Sequence, residues 1–165
     1  LYKSVNRMNN LKIESVWDYP RPPVSQSHEG EISIKINDTL LVQSKSVIRV
    51  IETSHPPSYY IPKYDINLNF LKKNKSTTFC EWKGTAKYLD MDFNGIHISK
   101  LAWYYPDPKE SFSNIKNHIS FYAHKSLKCL VNGELVKKQD GEFYGGWITK
   151  NLKGPFKGGV GTFGW

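Results

Sequence analysis

The sequence predicts a mainly β, antiparallel domain carrying one or two short helices. Asn94-Gly95 separates two strand-like runs, Thr85 to Phe93 and Ile96 to Tyr105, and Asn132-Gly133 separates Leu127–Val131 from Glu134–Lys137. An Asn-Gly pair favours a type I′ hairpin turn, because both central residues need positive φ. Ile32, Ile34 and Ile36 alternate as in a half-buried strand. Ser46 to Glu52 is a β-branched run that Pro56 and Pro57 stop. Together these argue against a doubly wound fold, and no internal repeat is visible.

Each element follows from local chemistry. Residues 1–13 are polar and aperiodic, so a loose segment is expected there, followed by one domain over 14–165. Glu14 to Pro23 reads as an extended, proline-stiffened arm. Asn37-Asp38 makes a turn before a strand at Leu40 to Gln43. Asp65 to Leu71 fits either a helical turn or a short strand, and a strand begins at Thr77. Ser111 to Asn117 is the best helix, with Ser111 as N-cap after a proline-rich turn. His118 to Ala123 is a strand, and a short one near Trp147–Lys150 lies in a tail rich in Gly and aromatics.

Composition bounds the function. The chain has 165 residues, enough for one sizeable core, and aromatics at 14% offset a modest hydrophobic content of 39%. No run approaches the ~20 apolar residues of a membrane helix, and Leu1-Tyr-Lys-Ser is no secretory leader, so a cytoplasmic protein with no membrane partner is expected. Met8 is the expected natural start. Cys80 and Cys129 form no C-x-x-C pair, so neither a disulfide framework nor a structural zinc is expected, and no cofactor or metal is assigned. The net charge of +8 invites a nucleic-acid reading, yet the lysines are spread along the chain without a binding motif, so no specific nucleic-acid partner is expected. Of the 23 basic residues only Arg7, Arg21 and Arg49 are Arg, which singles out Arg21 and Arg49 for geometric work that a planar fork performs and an ammonium does not, with plain exposure or a structural ion pair as the alternative.

Five segments concentrate large aromatics, Gly or Pro, and one or two ionisable groups: ETSHPPSYYIP at 52–62, CEWKG at 80–84, AWYYP at 102–106, FYGGWIT at 143–149 and GPFKG at 154–158. Apolar surface with a few placed polar groups is the composition of a pocket wall. Glu52, His55, Cys80 and Lys83 are the candidate catalytic groups: an acid–base set on a proline-stiffened loop, plus a thiol that a nearby base or cation would activate. The structural alternatives are an ion pair of Glu52 with Arg49 or Lys83, a loop-closing hydrogen bond for His55, and a buried, inert Cys80. Arg49, Tyr59, Glu81, Trp82, Trp103, Tyr144 and Trp147 are the candidate ligand-binding residues, with ordinary aromatic core as the alternative.

In this order and spacing, ETSHPP, CEWKG, FYGGW and GPFKG resemble the family catalogued as domain of unknown function 427, from about Glu14 to Trp165. The resemblance implies a β-tent-like fold, the class of methionine sulfoxide reductase B and the thalidomide-binding domain of cereblon, and brings a nucleotidyltransferase label. This chain lacks the paired C-x-x-C knuckles of several β-tent relatives. Nucleotidyl transfer needs carboxylates for a metal. Asp90 and Asp92 have the spacing for one strand face, but they precede a hairpin turn where charges are usually solvated. The leading reading is a domain with an aromatic-walled pocket for a small polar or heteroaromatic ligand. The alternatives are an enzyme of unassigned reaction, for which the family label suggests a nucleotide substrate, and a protein-interaction module.

Overall fold

A computed structural model of the protein describes residues 12–140 and 145–157. The chain opens with β1 (Glu14–Ser15) and a 3-10 turn (Val16–Asp18). Five strands follow: β2 (Val24–Ser27), β3 (Ile32–Ile36), β4 (Thr39–Ser44), β5 (Ile48–Ile51) and β6 (Ser58–Pro62). Two more 3-10 turns (Lys63–Asp65 and Leu68–Phe70) lead into three long strands, β7 (Leu71–Cys80), β8 (Gly84–Phe93) and β9 (Ile96–Tyr104). A kinked 3-10 segment (Glu110–Ile115) precedes β10 (His118–Phe121) and β11 (Lys128–Val131). Short strands complete the described chain: β12 (Glu134–Leu135), β13 (Lys137–Lys138), β14 (Trp147–Ile148) and β15 (Leu152–Lys153).

The architecture is mainly β and antiparallel, as the sequence predicts. Seven strands form one sheet in the order β2-β5-β6-β10-β9-β8-β7, and four form another in the order β12-β11-β3-β4. Both Asn-Gly pairs turn hairpins, with φ of 43° and 82° at Asn94 and Gly95, and 51° and 83° at Asn132 and Gly133. Positive φ at both central residues matches the strand twist, which is why these turns favour Asn and Gly.

The main core joins the two sheets. Ile32, Ile34 and Ile36 of β3 are fully buried against Ile61, Met91, Ala102 and Ile119 of the seven-stranded sheet. A second cluster comprises Val50, Tyr60, Ala86 and Tyr105 with Phe112 and Ile115. The large sheet thus buries both faces along its middle, and its central strands carry apolar side chains at successive positions: Tyr59, Tyr60 and Ile61 are all buried.

Four local expectations are corrected. The 14–23 arm is not extended throughout. Val16 and Tyr19 lie three apart around a 3-10 turn and bury with Ile51 in a third small cluster. The helix of 111–117 is a 3-10 segment whose N-cap is Lys109 rather than Ser111; its buried residues, Phe112 and Ile115, keep the three-residue spacing that eclipses side chains. β7 starts at Leu71, six residues before Thr77, because an irregularity between Asn74 and Thr77 breaks the alternation that would have revealed it. The tail strand stops at Ile148. Of the segment 1–13 expected to be loose, only Lys12 and Ile13 are among the described residues. No helix among the described residues is long and apolar enough to cross a membrane.

Ile34→Ala should lower the unfolding free energy by about 2–5 kcal/mol in chemical denaturation, since it empties a fully buried site. Phe79→Ser, at a residue 69% exposed on the edge strand β7, should change it by no more than about 0.5 kcal/mol. Equal losses at the two positions would contradict the assigned core.

Candidate functional site

One cross-strand row organises the outer face of the large sheet, the face turned away from the four-stranded sheet. Registers align Ile48 with Tyr60, Tyr60 with Ser120, Ser120 with Trp103, Trp103 with Tyr88, and Tyr88 with Asn74. Residues directly opposite one another share a face, so Tyr60, Trp103 and Tyr88 stand together on it, with small Ser120 between the first two. The Trp103 Nε1–H donates to the Tyr60 hydroxyl at 3.1 Å, and the two rings meet edge to face at 6.3 Å. Trp103 also leans on Tyr122, two residues beyond Ser120, with ring centroids 4.4 Å apart. Ser120 is 1% exposed, and its Oγ has no hydrogen-bond partner among the described residues.

Above this row lies a cavity of about 210 Å³. Tyr60, Tyr88, Trp103, Tyr105 and Tyr122 line it, together with Tyr59, Phe121 and Trp147. Its other walls are His55, Pro56, Pro57 and Ser58, Gly145 and Gly146, Gln139 and Lys83. The two glycines are needed for close approach: a Cβ on Gly145 would fall 2.8 Å from Tyr122 Cβ, and one on Gly146 would fall 2.9 Å from Pro56 Cγ. The Trp147 indole N–H donates to the Phe121 carbonyl at 2.9 Å, which anchors this segment to the end of β10.

Register also places the ends of the cavity. The 52–57 loop joins β5 to β6 at one end of the sheet, where Val50 faces Ser58. The 81–83 turn joins β7 to β8 at the opposite end, where Cys80 faces Gly84. Along the strands, Ser58 and Gly84 are six residue steps apart through the Tyr60–Tyr88 row, about 20 Å at ~3.4 Å per residue. His55 and Lys83 therefore enter the same cavity from opposite ends rather than forming one compact acid–base set.

The cavity is electrostatically simple. Burial pushes the Tyr59 phenol up to about 12 and raises those of Tyr60 and Tyr105, so all three are neutral at ordinary pH. Burial likewise lowers the pKa of His55, against the opposing effect of its bond to Thr53. His55 Nδ1 lies 2.8 Å from the Thr53 carbonyl, which can only accept, so the neutral ring carries its proton on Nδ1. Lys83 Nζ lies 5.9 Å from the Tyr105 ring centroid and 5.7 Å from that of Phe112.

Of the candidates read from sequence, His55, Tyr59, Lys83, Trp103 and Trp147 line this cavity. Cys80 and Trp82 do not; they pack against the second core cluster. Glu81 is exposed at the β7–β8 turn, and its carbonyl accepts from Lys109 Nζ at 2.6 Å. Glu52 forms an ion pair with Arg21 at 3.6 Å rather than with Arg49 or Lys83. Tyr144 lies outside the described residues. Arg49 lines a separate cleft of about 1050 Å³, together with His28, Glu134, Asn151 and the shared wall residue Tyr59. There its guanidinium grips Glu14 bidentately at 2.8 and 2.9 Å, the planar-fork geometry expected of an Arg among lysines.

The sequence reading missed Tyr60, Tyr88, Tyr105, Tyr122 and Gln139. Tyr60 and Tyr105 lie inside the ETSHPPSYYIP and AWYYP segments, and which of two adjacent tyrosines stands on the outer face of the sheet is a matter of strand parity. Asp90 and Asp92 are engaged by protein donors. Asp90 Oδ1 accepts from Lys100 N at 2.8 Å and Asn74 Nδ2 at 2.9 Å, and Asp92 meets His97 Nδ1 at 2.6 Å and Lys72 Nζ at 3.0 Å. Those contacts hold both carboxyls below the usual aspartate range. Among the described residues no group of three or more His, Cys, Asp or Glu is placed to hold a metal.

The model of the family described as "Domain of unknown function (DUF427)", short label NTP_transf_9, matches residues 24–132. ETSHPP, CEWKG and AWYYP fall inside that range, whereas FYGGW and GPFKG lie beyond it. No curated protein matches the chain.

His28 and His55 both have pKa values lowered by burial. In the unfolded chain they bind protons below about 6.5, whereas the folded chain resists, so acidification favours unfolding. Thermal midpoints should be nearly flat from pH 8 to about 6.5 and fall toward pH 5, with a shallower fall in His28→Asn. A midpoint that rises on acidification would contradict the burial of these rings.

Proposed function

This chain belongs to the DUF427 family, and we propose that it is a ligand-binding domain whose aromatic cavity takes a small, flat heteroaromatic molecule. The observation that carries this reading is the Tyr60–Trp103–Tyr88 row beneath a recess walled by further aromatic rings. Flat rings stack on such walls, and the few polar groups at the edge would orient them. At about 210 Å³ the recess lies below the ~300–1,000 Å³ of drug-sized sites. That favours one or two fused rings over a whole nucleotide.

The enzyme reading is less well supported. Its acid, Glu52, is paired with Arg21 and is absent from the cavity wall, and Cys80 packs elsewhere. The interaction-module reading would call for a flat aromatic patch, whereas these rings are recessed, with Tyr60 only 1% and Tyr105 6% exposed.

Adenine, nicotinamide and indole-3-carboxamide test the proposal by ligand-observed NMR and calorimetry. At least one should bind saturably, and Trp103→Leu should weaken it about tenfold or more, the loss of one stacking surface. Tyr64→Ala, at a residue 80% exposed, should leave binding unchanged. Absence of binding by all three and by the carboxylate counterparts nicotinate and indole-3-carboxylate, or equal binding to the Trp103→Leu protein, would sink the reading.

A further inference from the structure

The cavity carries an asymmetry of charge that its aromatic walls do not require. No Asp or Glu stands among the described residues that line it, and burial keeps Tyr59, Tyr60 and Tyr105 neutral. Lys83 supplies its ammonium, and no salt bridge engages Lys83 among the described residues. The position is built rather than incidental. Lys83 precedes Gly84, whose φ of 110° is a left-handed backbone conformation that side chains rarely adopt. The Lys83 carbonyl is held by Lys109 N at 2.9 Å. The Nζ lies near the Tyr105 and Phe112 rings, at the far end of the aromatic row from His55. An ammonium against rings, with no carboxylate paired to it among the described residues, leaves a positive charge at that end, and an anionic group reaching it would make a charge-assisted hydrogen bond in partly dried surroundings.

We propose that the ligand of this cavity is an anion: a heteroaromatic ring carrying one carboxylate, the ring lying along Trp103 and Tyr105 and the carboxylate meeting Lys83. This inference rests on the ligand-binding reading above and adds the charge of the ligand to it. His55 stands at the opposite end as an Nδ1-protonated ring, so among the described residues that line the cavity the ammonium is that of Lys83, and it orients the carboxylate toward that end.

Two matched pairs of probes separate charge from shape: nicotinate against nicotinamide, and indole-3-carboxylate against indole-3-carboxamide. Calorimetry at neutral pH and low salt reads their dissociation constants on the wild-type chain, Lys83→Met and Lys83→Arg, each first shown to unfold cooperatively. The carboxylate of at least one pair should bind about ten- to a hundredfold more tightly than its amide, the scale of one hydrogen bond to a charged group. That preference should fall to about onefold in Lys83→Met and persist in Lys83→Arg. If the amides bind as tightly as the carboxylates, or the preference survives in Lys83→Met, the charge assignment is overturned while the aromatic cavity stands. If no probe of either charge binds, both the cavity reading and this inference fail. If Lys83→Met does not fold, the wild-type carboxylate-to-amide ratio and its decline with added salt decide the matter: a ratio near one, or one insensitive to salt, overturns the proposal.

Discussion

The hydrogen bond from the Trp103 indole to the Tyr60 hydroxyl is the contact on which the cavity depends. It spans two strands that do not touch, β6 and β9, across β10 between them. It can do so because the intervening residue is Ser120, too small to prop the rings apart. The bond fixes Trp103 edge to face with Tyr60, and Trp103 in turn carries Tyr122. A floor locked in this way needs no ligand to hold its shape, which is the condition for binding without a large ordering cost. The unpartnered Ser120 hydroxyl beneath it is the one polar atom of the row that the fold leaves unsatisfied among the described residues.

Around that floor the remaining elements act as walls. The 3-10 segment at Glu110–Ile115 sets Phe112 and Ile115 on the outer face of the sheet and closes its far side. Pro56 and Pro57 stiffen the near side, where Gly145 and Gly146 lie too close to Tyr122 and Pro56 for a Cβ to fit. Tyr59 belongs to two sites at once. It forms part of the aromatic cavity and of the Arg49 cleft, and its ring meets His28 at 5.2 Å and Trp147 at 5.4 Å. The nucleotidyltransferase label attached to the family finds its D-x-D spacing here at Asp90 and Asp92, yet these carboxylates tie β8 to β7 and β9 through Asn74, Lys72, His97 and Lys100.

Much of the fold was legible because its signals are local. Asn94-Gly95 and Asn132-Gly133 encode their hairpins in two residues each, and Ile32, Ile34 and Ile36 announce a buried face by alternation. What was not legible is parity. In a sheet buried on both faces, adjacent residues such as Tyr59 and Tyr60 look equally apolar, and only the pairing register decides that Tyr60 joins the outer row. Tyr104 and Tyr105 pose the same ambiguity: Tyr104 lies beneath Lys63, and Tyr105 lines the cavity. The proposed grouping of Glu52, His55, Cys80 and Lys83 suffered from a related limit. Motif density marks interesting segments, but sequence order does not show that the 52–57 and 81–83 turns lie at opposite ends of the strands.

The central claim is that the outer face of the large sheet, along the Tyr60–Trp103–Tyr88 row, is the surface a ligand meets. Residue-resolved ¹H–¹⁵N spectra recorded while indole-3-carboxylate is added test it most directly. The account predicts saturable shifts of the Trp103 indole N–H and of the Gly145 and Gly146 amides, with the amides of Asp90, Asp92 and Asn132 unmoved. Shifts confined to Asn132, Asn151 and Leu152 in the Arg49 cleft, or to the β7–β8 carboxylates, with Trp103 silent, would contradict it.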